Sequence, residues 1–148
     1  MLLRAYPWRK IDPVPFVPLR KPVAESRLAL ISSAGFAAPG QPPFDDGIRG
    51  GDTSFRSISN DVDPASLIST HRSESFDHKG LERDANLAFP LDRLRELCAS
   101  GRIGSLGAQH LSFMGSITAP ARLTRHTAPE AVSKLVEDGV ELALLVPV

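Results

Sequence analysis

The chain has 148 residues, enough for one domain with its own core. Its 17 Lys plus Arg balance 17 Asp plus Glu, so the formal net charge is zero and bulk attraction to nucleic acid or an anionic membrane is not expected. One cysteine, Cys98, excludes an internal disulfide framework and makes a reducing, cytoplasmic setting the default; no apolar run reaches the length of a membrane span.

Residues 1–26 read as a Pro-rich arm, and residues 27–148 as a single α/β domain. Arg4, Arg9 and Lys10 break the apolar start before a targeting segment forms. Pro7, Pro13, Pro15, Pro18 and Pro22 preclude a helix over most of the arm and favour extended, polyproline-like backbone. Its Tyr6, Trp8, Phe16 and Val17 either pack on the domain or a neighbouring subunit, or belong to a partly disordered tail. Leu28-Ala29-Leu30-Ile31, closed by Ser32-Ser33-Ala34-Gly35, predicts a buried strand. In a parallel sheet Ser32 and Ser33 would face a ligand crevice at its carboxyl end; otherwise they satisfy the turn.

Residues 36–63 read as a loop. Gly50-Gly51 permits close backbone approach but matches neither a phosphate-binding nor a dinucleotide-binding glycine pattern. Asp52, Ser54 and Arg56 alternate, so in extended backbone they share one side while Thr53 and Phe55 take the other. A guanidinium there suits a substrate carboxylate, or else an internal Asp–Arg pair fixes the loop. Ala65–His71 predicts a helical turn and a short strand. His71 suits acid–base work because its pKa sits near neutrality, although a lone histidine is more often structural. His71, His78, His110 and Cys98 match no zinc spacing.

Pro90–Ser100 predicts a helix, with Pro90 in its first turn, Gly101 beyond its end, and Leu91, Leu94, Leu97 and Cys98 on one stripe. A thiol on such a stripe is expected to be inert. A second strand is expected over Ser105–His110 and a loop over 116–126. Thr127–Asp138 predicts a second helix with a Thr127–Glu130 capping box, stopped by Gly139. Val140–Val146 predicts a strand buried on both faces of a parallel sheet. Strand, helix and strand make a βαβ unit, and the fold expected is α/β: a small, mostly parallel sheet with flanking helices.

Several segments, in order, carry a resemblance. They are Leu28–Gly35, Pro43-Phe44-Asp45, Gly51-Asp52-Thr53-Ser54-Phe55-Arg56, His71, Asp84–Asn86, Phe89–Leu94, Ile103-Gly104, His110–Gly115 and Asp138-Gly139-Val140. The chain resembles the selenoprotein-B-like subunits of the glycine/sarcosine/betaine and D-proline reductases, especially the short, D-proline-reductase-like branch. The resemblance implies reductive cleavage of a C–N bond alpha to a carboxylate. A selenolate or thiolate is the nucleophile, with electrons from a dithiol or thioredoxin-like donor. It also implies a small amino-acid-like carboxylate as substrate, and other reductase subunits or a homo-oligomer as partners. Arg56, His71, Asp84, Asn86, Arg93 and His110 would line or brace the crevice. Arg56 would hold the carboxylate, His71 or His110 would protonate the leaving amine, and Asp52, with Ser54 beside it, would orient. In Asp92 and Arg93 a structural role at a helix start is equally open.

The resemblance places the redox motif, a selenocysteine or cysteine followed closely by cysteine, directly after Val148; no other cofactor is implied. The sequence therefore reads as cut at the edge of its own site, with a selenocysteine codon taken as stop. A natural short paralogue or a chosen boundary is the alternative. The 148-residue chain alone is expected to be inactive. A catalytically silent partner subunit and a small-carboxylate-binding α/β module remain the other readings.

Overall fold

The structure, a computed structural model, describes residues 10–71, 73 and 77–148. Its centre is strand β1, Arg27–Ser32, whose apolar residues alternate between two covered faces. Leu28 and Leu30 enter one core with Phe36, Ile58, Phe89, Leu91, Leu94 and Ile103. Ala29 and the partly buried Ile31 enter the other with Leu111, Ala131 and Leu135. Two buried faces require a run of consecutive apolar residues rather than an alternating one, the pattern of a central parallel strand.

Strands β2 (Phe36–Ala37), β3 (Phe55–Ser59) and β4 (Ile68–Ser69) follow, then α1 (His78–Arg83), α2 (Leu91–Ala99), β5 (Ser105–Leu106), β6 (Gln109–Phe113), α3 (Ala128–Glu137) and β7 (Leu142–Val146). Strand β7 runs parallel to β1 along one edge, in register from Leu28↔Leu142 to Ser32↔Val146. The other edge of β1 takes β5 at Arg27 and Leu28 and β6 at Ile31 and Ser32, both parallel. Strand β3 adds antiparallel to β6. The sheet is therefore mixed but mostly parallel, with β3, β7 and the short β5 each paired on one side only. Strands β2 and β4 form a separate antiparallel pair. Helix α2 packs on one side and α3 on the other, and β6, α3 and β7 form the expected crossover with β1 between their strands.

Several expectations are corrected. Residues 36–63 are not all loop: β3 crosses them, and only its Ile58 is fully buried, so its sequence carries no apolar run. The strand expected over Ser105–His110 is two strands broken at Gly107, and the second continues to Phe113. The loop expected over 116–126 is helical from residue 121, running through a π turn at Leu123–Thr127 into α3. Thr127 has helical dihedrals and no capping hydrogen bond, so the Thr127–Glu130 capping box does not form. The widened turn explains why helix precedes Pro129. The Ala128 N–H reaches five residues back to the Leu123 carbonyl, and the looser turn accommodates the proline ring, which lacks a donor and crowds the carbonyl four residues before it. Strand β7 is not buried on both faces: it is an outer strand, and Leu145 is 67% exposed. In the arm, Phe16 and Val17 are each 84% exposed, so the domain does not cover them. Tyr6 and Trp8 lie outside the described residues.

Candidate active site

Because β1, β6 and β7 are parallel, their carboxyl ends lie together, where open α/β sheets place ligand groups. Ser33 leaves β1 there, Gly115 follows β6, and Val148 follows β7. The Ser33 N–H donates to the Val146 carbonyl at 3.2 Å, the last rung of the parallel ladder. Pro147 has no N–H to extend it, and the Ser33 side chain takes over: Val148 N–H donates to Ser33 Oγ at 3.0 Å, and Oγ lies 3.3 Å from the Val148 carbonyl. Of the two serines weighed from sequence, Ser32 serves the turn, accepting from Ala34 N–H at 3.2 Å.

His71 reaches the same place. Its backbone is tied down by β2 and β4: Thr70 N–H donates to the Gly35 carbonyl at 3.0 Å, and the Ser69 hydroxyl donates to the Ala34 carbonyl at 3.2 Å. Gly35, at φ +67°, faces the His71 backbone so closely that a Cβ would lie 3.2 Å from its nitrogen. The imidazole is buried, and Ser73 N–H donates to its Nδ1 at 3.3 Å, which places the ring proton of the neutral form on Nε2. Burial, then the charge of His78, lowers its pKa. Beside it an apolar groove of about 470 Å³ runs along α3, lined by Ile31, Met114, Gly115, Leu135, Leu145 and Pro147 among others.

The Asp52–Ser54–Arg56 side is shared, as the alternation predicts. The Ser54 hydroxyl donates to Asp52 Oδ1 at 2.6 Å, and Arg56 donates to Ser54 Oγ at 2.8 Å. Phe55 points the other way, against Phe113. The guanidinium is occupied by its own loop, donating to the carbonyls of Pro42 at 2.8 Å and Pro43 at 2.7 Å while stacking 4.1 Å over the Phe44 ring. This is the loop-fixing arrangement, with Asp52 3.8 Å away. Burial alone would raise the Asp52 pKa. Hydrogen bonds from the Ser54 hydroxyl and the Asp45 and Ser54 amides, with Arg56, outweigh it and hold the carboxyl below its ordinary value. Asp52 and Ser54 also line a polar cleft of about 760 Å³ with Arg49, Arg122, Glu130 and Lys134.

The remaining sequence-derived residues lie elsewhere. His110 is wholly buried in the sheet, accepting Leu30 N–H at Nδ1 (3.0 Å) and meeting Asn60 Oδ1 at Nε2 (3.1 Å). With both ring nitrogens engaged by the framework, its geometry is that of a structural group. Asp84 and Asn86 brace the start of α2: Asp84 accepts Asn86 N–H at 2.9 Å, and Asn86 Oδ1 accepts Asp92 N–H at 3.0 Å. Arg93 is exposed and paired with Glu96 at 2.8 Å on the surface of α2. Cys98 lies on the apolar side of α2, where burial raises its thiol pKa. Gly115 owes its place here to the close approach of three separate segments, those of Ser33, His71 and Val148, which no single stretch of sequence announces.

A family model described as glycine/sarcosine/betaine reductase selenoprotein B matches residues 4–147. The chain belongs to this family. D-proline reductase subunit gamma of Acetoanaerobium sticklandii is 30% identical over 136 residues, covering 91% of this chain and 54% of that subunit. The glycine reductase complex component B subunit gamma of Carboxydothermus hydrogenoformans is 27% identical over 139 residues, covering 94% of this chain and 32% of that protein. The sarcosine reductase complex component B subunit beta of Peptoclostridium acidaminophilum is 27% identical over 143 residues, with 95% and 32% covered. The chain thus spans about half the length of the first curated relative and about a third of the other two. No solved structure matches it. Among the described residues, no helix of this selenoprotein B family member is long and apolar enough to cross a membrane.

Proposed function

We propose that this chain forms the substrate-shaping part of a reductase of the D-proline or glycine type. In this reading the complex is cytoplasmic and cleaves the C–N bond alpha to the carboxylate of a small amino-acid-like substrate. Electrons come from a dithiol or thioredoxin-like donor, leaving a disulfide or selenenyl sulfide to be re-reduced. The observation that carries the reading is convergence. Within a chain matched by the family model almost end to end, Leu28–Gly35, His71 and His110–Gly115 meet at the parallel strand ends.

His71 is the acid–base residue of the proposal, because its ring stands at the strand ends while His110 is held within the sheet. The carboxylate lies toward the Asp52–Ser54 loop. Arg56 shapes that loop, and Arg49, Arg122 and Lys134 supply positive charge along the adjoining cleft. In this reading the nucleophile is the selenocysteine or cysteine that the family resemblance implies directly after Val148, and Cys98, on α2 with its thiol pKa raised by burial, is not it. Other reductase subunits complete the complex, as the names of the relatives suggest.

The test has two arms. The nucleotide sequence after codon 148 should read UGA, followed by an open frame with a nearby cysteine. The purified 148-residue chain should show no dithiol-dependent turnover of D-proline, glycine, sarcosine or betaine, whereas the complex captured from its host should turn over one of them. Turnover by the pure chain that disappears in Cys98→Ser would overturn the assignment of the nucleophile.

A further inference from the structure

Helix α3 divides two grooves. One flank lines the apolar groove at the strand ends; the other, continued into the π turn, carries Thr127, Glu130 and Lys134 at a spacing that stacks them on one face. Across the polar cleft of about 760 Å³ stand Arg49, Thr53 and the start of the outer strand β3. The loop bearing Arg49 is clamped to the segment that leads to Arg122. The Gly50 carbonyl accepts Thr118 N–H at 2.9 Å and Ala119 N–H at 3.0 Å, and a Cβ on Gly51 would lie 2.8 Å from the Ser116 carbonyl oxygen. Two walls with cations on each are thus held facing one another.

The cleft holds more positive charge than its own residues neutralise. Among the described residues Arg49, Arg122 and Lys134 form no ion pair, while Asp52 is met by Arg56 and the Ser54 hydroxyl, which leaves Glu130 as the one other acidic group of the lining. The walls lack partners as well. Thr53 and Thr127 are each 8% exposed, and neither hydroxyl has a hydrogen-bond partner among the described residues, where a buried hydroxyl normally has one. A ligand with oxygen acceptors and several negative charges satisfies both sets. A zwitterionic amino acid, with no net charge, does not. Arg122 and Lys134 are twelve helical positions apart, roughly 18 Å, which exceeds one carboxylate and matches five or six residues of extended peptide at about 3.3 Å each.

We propose that this cleft docks an extended acidic segment of a partner protein. Its carboxylates pair with Arg49, Arg122 and Lys134, and its backbone carbonyls accept from the Thr53 and Thr127 hydroxyls. The substrate carboxylate keeps its place at the Asp52–Ser54 loop, and the α3 side of the cleft belongs to the partner. This rests on the reductase reading in taking that partner to be another subunit of the complex. Charge complementarity of this kind selects the surface that is met and speeds the encounter.

The test has two arms. In the first, a fluorescent acetyl-hexaglutamate amide is titrated with the 148-residue chain and followed by anisotropy at about 0.15 M ionic strength. Arg122→Glu with Lys134→Glu should weaken binding at least about tenfold, and Thr53→Val with Thr127→Val should weaken it by a smaller factor. Arg93→Glu with Arg102→Glu makes the same change in net charge away from the cleft and should leave binding within about twofold. Circular dichroism establishes folding, and Arg122→Gln with Lys134→Gln replaces the reversal if it does not fold. Equal weakening by the two reversals, no binding of the peptide, or binding of succinate in its place overturns the proposal. In the second arm, the complex captured from its host is treated with a carbodiimide, which joins an amine to a carboxylate in contact with it. Lys134 should be joined to an Asp or Glu within an acidic stretch of another subunit. A complex in which Lys134 stays unlinked while other lysines are joined to partner subunits overturns the docking role. Peptide binding beside a complex that turns over none of the four substrates would sink the reductase reading alone. Turnover by a complex whose chain binds no acidic peptide would sink the docking cleft alone.

Discussion

His110 joins two strands and a turn through one imidazole, and its protonation is coupled to the fold. Burial, with Arg95 behind it and Asp138 opposing, lowers its pKa from 6.5 to about 4. The unfolded chain therefore binds a proton that the folded chain refuses between those values. The stability from this residue is whole above 6.5 and drains away as pH falls toward about 4, amounting to about 3 kcal/mol. Urea unfolding should show this loss, and His110→Gln should flatten the slope while costing about 2 kcal/mol at neutral pH, because the Leu30 amide loses its acceptor. A wild-type stability that is level across this range would refute the account. At this scale sequence was an uneven guide. The shared side of Asp52, Ser54 and Arg56 was legible from alternation alone. The different placements of His71, at the strand ends, and His110, within the sheet, were not, because an imidazole reads the same in sequence wherever its nitrogens point.

Elements separate along the same line. Strands β1 and β7 have similar apolar sequences and lie side by side, yet β1 is enclosed and β7 is not. Composition foretold two strands but not which one is central, since position in a sheet depends on what pairs with the far edge. Leu30, with no exposed surface, and Leu145, 67% exposed, measure the difference. Leu30→Ala should cost about 2–5 kcal/mol, whereas Leu145→Ala should stay within about 0.5 kcal/mol. Denaturant titration of the two variants checks this, and equal costs would contradict the placement of β7. Helix α2 was legible because Pro90, its apolar stripe and Gly101 agree. The start of α3 was not, because a Ser/Thr-to-Glu spacing and a proline look like a beginning even where a π turn carries the helix through them.

For the whole molecule, the α/β class followed from the run of strand, helix and strand. The antiparallel addition of β3 did not, because a half-buried outer strand leaves little periodic signal. The arrangement predicts a gradient of protection. Amides of β1 and β6, paired on both sides, should exchange with solvent most slowly, and those of β7 and β3 faster. Hydrogen exchange resolved by residue tests this, and protection of β7 equal to that of β1 in the isolated chain would contradict an outer position.

The pairing of β1 also has a consequence in time. Its partners come late: Ile31 meets Leu111, and Leu28 meets Leu142. A ribosome working at roughly 5–20 residues per second makes β1 several seconds before either neighbour exists. Throughout that interval the apolar central strand has nothing to pair with, and local contacts cannot shelter it. The nascent chain should therefore depend on a holding chaperone until α3 and β7 emerge, and the burden should fall on Leu28-Ala29-Leu30-Ile31.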